Sequence, residues 1–307
     1  MEMQLKPFLK GAVSFAIPSL RTVHKNVDKM SAADAEFCYS LFLRHYSYVE
    51  PYFENGIPKV VAELGPGSSL GMGFCALLFG ADTYYVLDVV DHTDPARNLR
   101  IFDEIVKMIN ERRPVPRHET TFPDPAHWEF PSRFSMPSPE RLAAIRDDVE
   151  KQTKRFIRPA VPWTNVEIPE GSVGWLWSHS VMEHVDEIEH AWESCATWLA
   201  PNGVMSHEID YRSHGLTEHW NGHWSIGDLC WQVIRGCRPY LINRLPHSAQ
   251  MAIVSGSGFE AVTELVHTPP PPSLPAAMMS PRFASTTTPR DLTTGMAFVV
   301  LKSRSAQ

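Results

Sequence analysis

Residues 59–71 read KVVAELGPGSSLG, and this segment decides the fold. A short apolar run, residues 60–64, is followed by three glycines within seven residues and then by apolar residues that suit a helix. Gly65 and Gly67 allow backbone angles that other residues avoid, and they let a ligand approach the main chain closely. Gly71 would open the helix, whose free N–H groups would point at a ligand in the loop. The pattern predicts a strand, a glycine loop and a helix, the first unit of a nucleotide-binding α/β domain.

The glycine loop differs from the dinucleotide-binding pattern. Its spacing is G-P-G-x-x-x-G rather than G-x-G-x-x-G, and Glu63 stands two residues before the first glycine. An acid beside the loop disfavours an anionic pyrophosphate and suits a cationic ligand that carries a ribose. A plain turn between a buried strand and its helix would also use such glycines, so the glycines alone leave the ligand open.

A second acid strengthens the prediction of a nucleotide-like ligand. Residues 82–88 read DTYYVLD, a predicted strand that ends in Asp88. In nucleotide-binding α/β folds an acid about 20 residues after the glycines accepts hydrogen bonds from the ribose hydroxyls. A carboxylate suits this task because its two oxygens can accept from two O–H donors. Asp91 is an alternative for the same role.

Glu63 and the glycines that follow it resemble the first motif of the class I S-adenosylmethionine (SAM) methyltransferases, acid-x-Gly-x-Gly. Two later segments are similar to the same family. Residues 173–185, VGWLWSHSVMEHV, resemble its fourth strand and the Glu-His-hydrophobic signature, although Val173 and Gly174 stand where the family has an acid. Residues 198–204, WLAPNGV, resemble its entry to the fifth strand.

The resemblance covers residues 55–302, with a poor match over 92–160. It implies an α/β fold with a doubly wound, Rossmann-like sheet of seven mostly parallel strands. The implied domains are an N-terminal helical cap, a methyltransferase domain with a helical insertion, and a tail. Their bounds are residues 1–54 for the cap, 55–302 for the domain, about 113–152 for the insertion and 303–307 for the tail. The insertion either covers the substrate side of the site or is a surface loop region with no catalytic role.

The resemblance also implies SAM as the cofactor. Glu63 would face its cationic amino-acid end, directly or through water, and Trp163 would lie near the adenine. Glu63→Ala is therefore expected to weaken SAM binding without unfolding the protein. The residues expected around SAM are Glu63, Gly65, Pro66, Gly67, Ser68, Gly71, Asp88, Trp163 and Ser178.

Candidate catalytic bases come from the 14 histidines of the chain. Several follow the predicted fourth and fifth strands, residues 173–177 and 203–210, and ligands of open α/β sheets gather beyond the carboxyl ends of the strands. A histidine near its ordinary pKa can act as a base at neutral pH. The candidates, in order, are His179, His207 and His214. Each of them could instead be a polar side chain that is satisfied within a loop.

A divalent metal is a further option, because some O-methyltransferases of this class hold magnesium or a similar ion. The resemblance makes Glu183, His184 and Asp210 candidate ligands. Neighbours in sequence do not share a face of a helix, which argues against Glu183 and His184 binding one ion.

The predicted function is SAM-dependent O-methylation of a small-molecule or glycan hydroxyl. Residues 207–214, HEIDYRSH, and 240–248, YLINRLPHS, are similar to segments of bacterial methyltransferases associated with polysaccharide biosynthesis. One alternative is a non-catalytic scaffold that binds SAM. Another is an NAD(P)-dependent oxidoreductase, which Glu63 and the glycine spacing disfavour.

Composition narrows the partners and the compartment. Hydrophobic residues make up 43% of the chain, and the net charge of −7 argues against a nucleic-acid partner. Five scattered cysteines favour a reducing compartment, so a cytoplasmic location is predicted. No run approaches the ~20 apolar residues of a membrane-spanning helix. Residues 1–21 form an amphipathic segment that is a candidate either for packing on the domain or for peripheral membrane contact. The sequence does not set the oligomeric state.

Overall fold

The structure is a computed structural model that describes residues 5–15, 17, 34–89, 94–114, 130, 134–163, 167–238, 240–269 and 273–304. Asp91 lies outside these residues. The helices are α1 (Leu5–Ser14), α2 (Ala35–Val49), α3 (Gly71–Phe79), α4 (Pro95–Asn110), α5 (Pro139–Lys151), α6 (Ile188–Trp198), α7 (Asp228–Arg235), α8 (His247–Gly256) and α9 (Pro281–Thr286). The strands are β1 (Val60–Leu64), β2 (Thr83–Leu87), β3 (Ile157–Ala160), β4 (Val173–His179), β5 (Leu199–Asp210), β6 (Phe259–His267) and β7 (Met296–Ser303). A 3-10 turn, Met182–His184, follows β4.

The strands form one seven-stranded sheet in the order β3-β2-β1-β4-β5-β7-β6. Strand β7 runs antiparallel to both β5 and β6, and the other neighbouring pairs are parallel. The predicted fold class, a mostly parallel, doubly wound sheet, is confirmed. Strand order reverses between β1 and β4, and the crevice at such a switch point is where open α/β sheets bind ligands.

Helices cover both faces of the sheet. Helices α2 to α5 contribute to the apolar layer on one face, which includes Trp175 and Trp177 of β4. Helices α6 and α8 pack on the other face, against Leu176 of the same strand. Successive side chains of a strand point to opposite faces, so a strand with both faces covered is apolar throughout. This explains why residues 173–177 show no alternation of polar and apolar residues.

The first helix after the glycine loop packs at very short range. Helix α3 begins at Gly71, as predicted, and a Cβ there would lie 2.5 Å from Cβ of Cys38 in α2. A Cβ at Gly73 would lie 1.9 Å from Cε1 of Tyr84 in β2. Gly71 and Gly73 therefore allow α3 to touch its neighbours, in addition to any role toward a ligand.

Two segments outside the core of the sheet are tied to it by specific contacts. In α1, Ser14 Oγ accepts from the Cys237 backbone N–H at 2.8 Å, while Leu9 and Val13 remain exposed. Asp148 of α5 accepts from the Ile157 backbone N–H at 2.9 Å, which attaches the described part of the predicted insertion to β3. Within the described ranges, no helix has the length and apolar character needed to cross a membrane. Contact of residues 1–21 with a membrane surface stays a prediction.

Candidate functional site

The glycine loop connects β1 to α3 at the carboxyl edge of the sheet. Gly65 and Gly67 have φ angles of 63° and 69°, in the left-handed region that favours glycine. The Gly65 N–H donates to the Leu87 carbonyl at 2.7 Å, which ties the loop to the end of β2. A Cβ at Gly65 would lie 2.6 Å from Cγ2 of Val181, whereas one at Gly67 would meet nothing within 4 Å. Gly67 is therefore the open side of the loop.

Asp88 lies on the wall between two cavities. Its Oδ1 accepts from the Val89 backbone N–H at 2.7 Å. The first cavity, called here the Trp163 cavity, measures about 490 Å³ and is lined by Gly65, Asp88, Trp163, Val181, His184 and Tyr240, among others. The second, called here the Lys154 cavity, measures about 410 Å³ and is lined by Pro66, Gly67, Asp88, Asn98, Asp148 and Lys154, among others.

The structure brings five of the nine predicted SAM-binding residues to these cavities and buries the other four. Those on the cavity walls are Gly65, Pro66, Gly67, Asp88 and Trp163. Those that line neither cavity are Glu63, Ser68, Gly71 and Ser178.

Glu63 lies behind the loop, within the layer between β1 and the helices. It is 5% exposed, and Oε2 accepts a hydrogen bond from the Tyr84 hydroxyl. Burial raises the pKa of Glu63 to about 7, and the hydrogen bond from Tyr84 opposes that rise. Direct contact of Glu63 with a ligand does not follow from this placement. A role through water stays a prediction.

His207 is fully buried on the face of β5 opposite to His179. Its Nδ1 lies 2.8 Å from Ser178 Oγ, and its ring packs edge-on against Trp192 at 4.9 Å. Burial lowers the pKa of His207 to about 3. A side chain with no exposed surface and so low a pKa is unsuited to take a proton from an acceptor, so the placement does not support His207 as the base. Ser178 is likewise held by His207 and not presented to a cavity.

His179 lies at the carboxyl edge of the sheet, beneath α2. Strand β4 extends through His179, two residues beyond the predicted end at Trp177. The side chain is 23% exposed, and its Nδ1 lies 3.5 Å from Oε2 of Glu208. Phe37 of α2 packs edge-on against the imidazole at 6.0 Å. His179 thus has a carboxylate nearby and partial exposure, as does His214 beside Asp210. His179 lines neither of the two cavities.

Sequence reasoning missed Glu208 as the carboxylate beside His179. The register of the parallel pair β4–β5 sets His179 directly opposite Glu208. Alternation along β5 places Glu208 on the face opposite to His207. Only the pairing of β4 with β5 shows that this is also the face of His179.

A third group of side chains joins the turn after β4 to the loop after β5. One ligand atom from each of Glu183, His184 and His214 lies within 4.8 Å of the others. The α-helix geometry that argued against Glu183 and His184 binding one ion does not apply, because residues 182–184 form a 3-10 turn. Asp210, a predicted ligand, is not in the group.

Asp210 instead pairs with Arg212. The guanidinium Nε donates to Oδ1 at 2.9 Å and a second guanidinium nitrogen to Oδ2 at 2.7 Å. Oδ2 also lies 3.5 Å from Nε2 of His214. The carboxylate of Asp210 therefore holds the side chains of the loop after β5 in place.

Asn243 holds the 3-10 turn from the other side. Its side-chain amide donates to the carbonyls of Met182 at 2.9 Å and Val185 at 3.0 Å. Its backbone N–H donates to the Glu183 carbonyl at 2.7 Å. These three bonds span the turn that carries Glu183 and His184. No local sequence pattern indicates this role, which depends on a contact between segments about 60 residues apart.

Comparison with known proteins returns similarity of fold. No protein-family model matches the chain, and no curated protein matches it. An S-adenosylmethionine dependent methyltransferase from Mesorhizobium loti is 12% identical, with 85% of this chain and 98% of that chain covered and a TM-score of 0.41. A geranyl diphosphate C-methyltransferase from Streptomyces coelicolor is 10% identical, with coverage of 84% and 78% and a TM-score of 0.42. The cyclase SpnF is 10% identical, with coverage of 86% and 81% and a TM-score of 0.41.

Proposed function

We propose that this protein is a SAM-dependent methyltransferase that acts on a hydroxyl of a small molecule or glycan. The observation that carries the proposal is the meeting of the glycine loop and Asp88 around one cavity next to the switch point of the sheet. A carboxylate at the end of the second strand and an open glycine loop after the first are what a bound nucleoside requires.

The residues on the walls of the Trp163 cavity fit an adenosyl group. The carboxylate of Asp88 can accept from two ribose hydroxyls, and Trp163 supplies an aromatic surface for the base. Gly67, on the wall of the adjoining Lys154 cavity, leaves the main chain open there, since a Cβ would meet nothing within 4 Å. When bound, SAM supplies a methyl group on a cationic sulfur, and the departing thioether is neutral and needs no acid.

The proposed base is His179. A hydroxyl acceptor must lose its proton, and an imidazole within reach of it can accept that proton. The carboxylate of Glu208, 3.5 Å from Nδ1 and not hydrogen-bonded to it, would stabilise the imidazolium that forms. Phe37 packs against the ring and limits its rotation.

A glycan acceptor is favoured by the groove beside His214. This groove, called here the Trp220 groove, measures about 540 Å³ and is lined by Arg212, Ser213, His214, Thr217, Glu218 and Trp220, among others. An aromatic ring among several hydrogen-bonding side chains suits the alternating apolar and polar surfaces of a sugar.

Titration of the purified protein with SAM, S-adenosylhomocysteine and NADH tests the cofactor. We expect SAM and S-adenosylhomocysteine to bind in calorimetry and to raise the melting temperature, and NADH to do neither. Stabilisation by NADH alone would support the oxidoreductase alternative and contradict the proposal. Binding of SAM with no methyl transfer to any glycan or small-molecule acceptor by the unmodified protein would support the scaffold alternative. Unchanged methyl transfer in a triple His179, His207 and His214 alanine variant would reject these histidines as the base.

A further inference from the structure

We propose that Glu183, His184 and His214 bind a divalent transition metal of the zinc and iron class. One ligand atom from each residue lies within 4.8 Å of the others. Two imidazoles and one carboxylate make up the protein ligand set of catalytic zinc sites and of non-heme iron sites. Magnesium prefers oxygen ligands, so this ligand set does not suit it.

The carboxyl group of Glu183 supplies the independent support for an ion. Glu183 is 4% exposed, and neither of its oxygens has a hydrogen-bond partner among the described residues. A buried carboxylate is costly unless it is paired or coordinates a metal. A bound cation would remove this cost by supplying the missing countercharge.

His184 is prepared for coordination. Its Nδ1 is buried and has no hydrogen-bond partner within the described part of the chain. A buried ring nitrogen without a partner is available to bind an ion, and the neutral imidazole is the form that binds metals.

His214 completes the group from the loop after β5. Its ring lies edge-on to that of His184, with 5.0 Å between the ring centroids. Asp210 Oδ2, 3.5 Å from Nε2, is the carboxylate that orients His214, and Arg212 holds Asp210 in turn. Outer carboxylates of this kind raise the basicity of a ligand histidine and fix its ring.

The position of the group suggests what the metal does. His184 lines the Trp163 cavity, and His214 lines the Trp220 groove. An ion between them would lie between the proposed cofactor cavity and the proposed acceptor groove. There it would bind the acceptor oxygen and lower the pKa of the hydroxyl. This role rests on the proposed function, whereas binding of the ion does not.

Calorimetry on untagged, full-length protein tests the site. The protein is first freed of metal with a chelator and then titrated with ZnCl₂ and MgCl₂, without SAM. We expect one zinc ion per chain and much weaker binding of magnesium. Glu183→Gln, which preserves the shape of the side chain, and His214→Ala, at a side chain 30% exposed, should each weaken zinc binding by more than about 100-fold. Asp210→Asn should weaken it by about 10- to 100-fold.

His219→Ala is the matched control, because His219 belongs to the same loop and is not in the group. It should bind zinc as the unmodified protein does. Unchanged zinc affinity in both Glu183→Gln and His214→Ala, or an equal loss in His219→Ala, would overturn the proposal. Magnesium binding as tight as zinc binding would overturn the metal class. Circular dichroism of each metal-free variant establishes that it is folded.

The outcome is distinguishable from failure of the proposed function. Zinc binding without SAM binding would retain the metal site and reject the methyltransferase. SAM binding with no zinc binding at the group would retain the proposed methyltransferase and reject the metal site.

Discussion

His179 and Glu208 face each other across neighbouring parallel strands, with 3.5 Å between Nδ1 and Oε2. The Ser180 N–H donates to the Glu208 carbonyl at 2.9 Å, so a backbone hydrogen bond also joins the two strands next to this pair. Both residues are on the face of the sheet that α2 covers. The pair combines an imidazole at the sheet edge with a carboxylate that can stabilise its protonated form.

His179→Ala should lower the rate of methyl transfer by about 10²- to 10⁴-fold, because it removes the proposed base. Its affinity for SAM should stay unchanged. Glu208→Gln should cause a smaller loss, since the imidazole remains but loses the nearby negative charge that stabilises its protonated form. The measurement is transfer of a labelled methyl group to glycan and small-molecule acceptors, with His267→Ala as the control. Full activity in His179→Ala would reject His179 as the base.

Asp88→Ala should weaken SAM binding by about 10- to 100-fold, because hydrogen bonds to a charged group contribute about 1.5–3 kcal/mol. Isothermal titration calorimetry measures the change. Asp82→Ala is the control: this carboxylate lies at the other end of the same strand and forms exposed ion pairs with Lys59 and Arg141. It should leave SAM affinity unchanged and stability within about 1 kcal/mol. Equal SAM affinity in Asp88→Ala and the unmodified protein would count against the proposed ribose contact.

Glu63 should make the protein less stable as pH rises. Its folded-state pKa, about 7, is above the ordinary value of 4.5 because the side chain is buried. Between these two values the folded protein holds a proton that the unfolded chain has released, so the free energy of unfolding falls with increasing pH and levels off above about pH 7. At 1.36 kcal/mol per pKa unit the full effect is about 3 kcal/mol.

Urea unfolding from about pH 5 to about pH 8 measures this dependence. In Glu63→Gln the fall should be smaller by the contribution of Glu63. The control is Glu260→Gln, at an exposed position on β6, which should follow the unmodified protein. Parallel curves for the unmodified protein and Glu63→Gln would show that Glu63 is not protonated in the folded state.

Gly73→Ala should destabilise the protein by about 1–3 kcal/mol, because the added Cβ would lie 1.9 Å from Cε1 of the buried Tyr84. Chemical denaturation measures the change in the free energy of unfolding. Gly256→Ala, at the end of α8, is the control, since a Cβ there meets nothing within 4 Å. It should change stability by less than about 0.5 kcal/mol. Equal effects of the two substitutions would show that α3 and β2 are packed less closely than in this structure.

The order of the elements was predictable because it follows from local patterns. The glycine loop and the acid at position 88 mark where the chain leaves the first two strands. The apolar runs of β4 and β6 mark segments that must be buried. Strand β6 was predicted with its observed bounds, Phe259–His267. The end of β4 was predicted two residues early, because Ser178 and His179 are polar and suggested an edge residue rather than strand. Strand ends depend on pairing with the neighbouring strand, which local sequence does not specify.

The sequence by itself determined the fold class and a set of candidate side chains, because burial and backbone preference are encoded in short segments. Only the tertiary structure decided what each side chain does. Strand register gave His179 the partner Glu208 and placed His207 in the core, and a single 3-10 turn brought Glu183 and His184 to His214. Some of these relationships join residues that are far apart in sequence, and the other depends on a 3-10 turn in place of a helix. In both cases tertiary packing sets the direction of the side chains, and that direction decides which groups can react together.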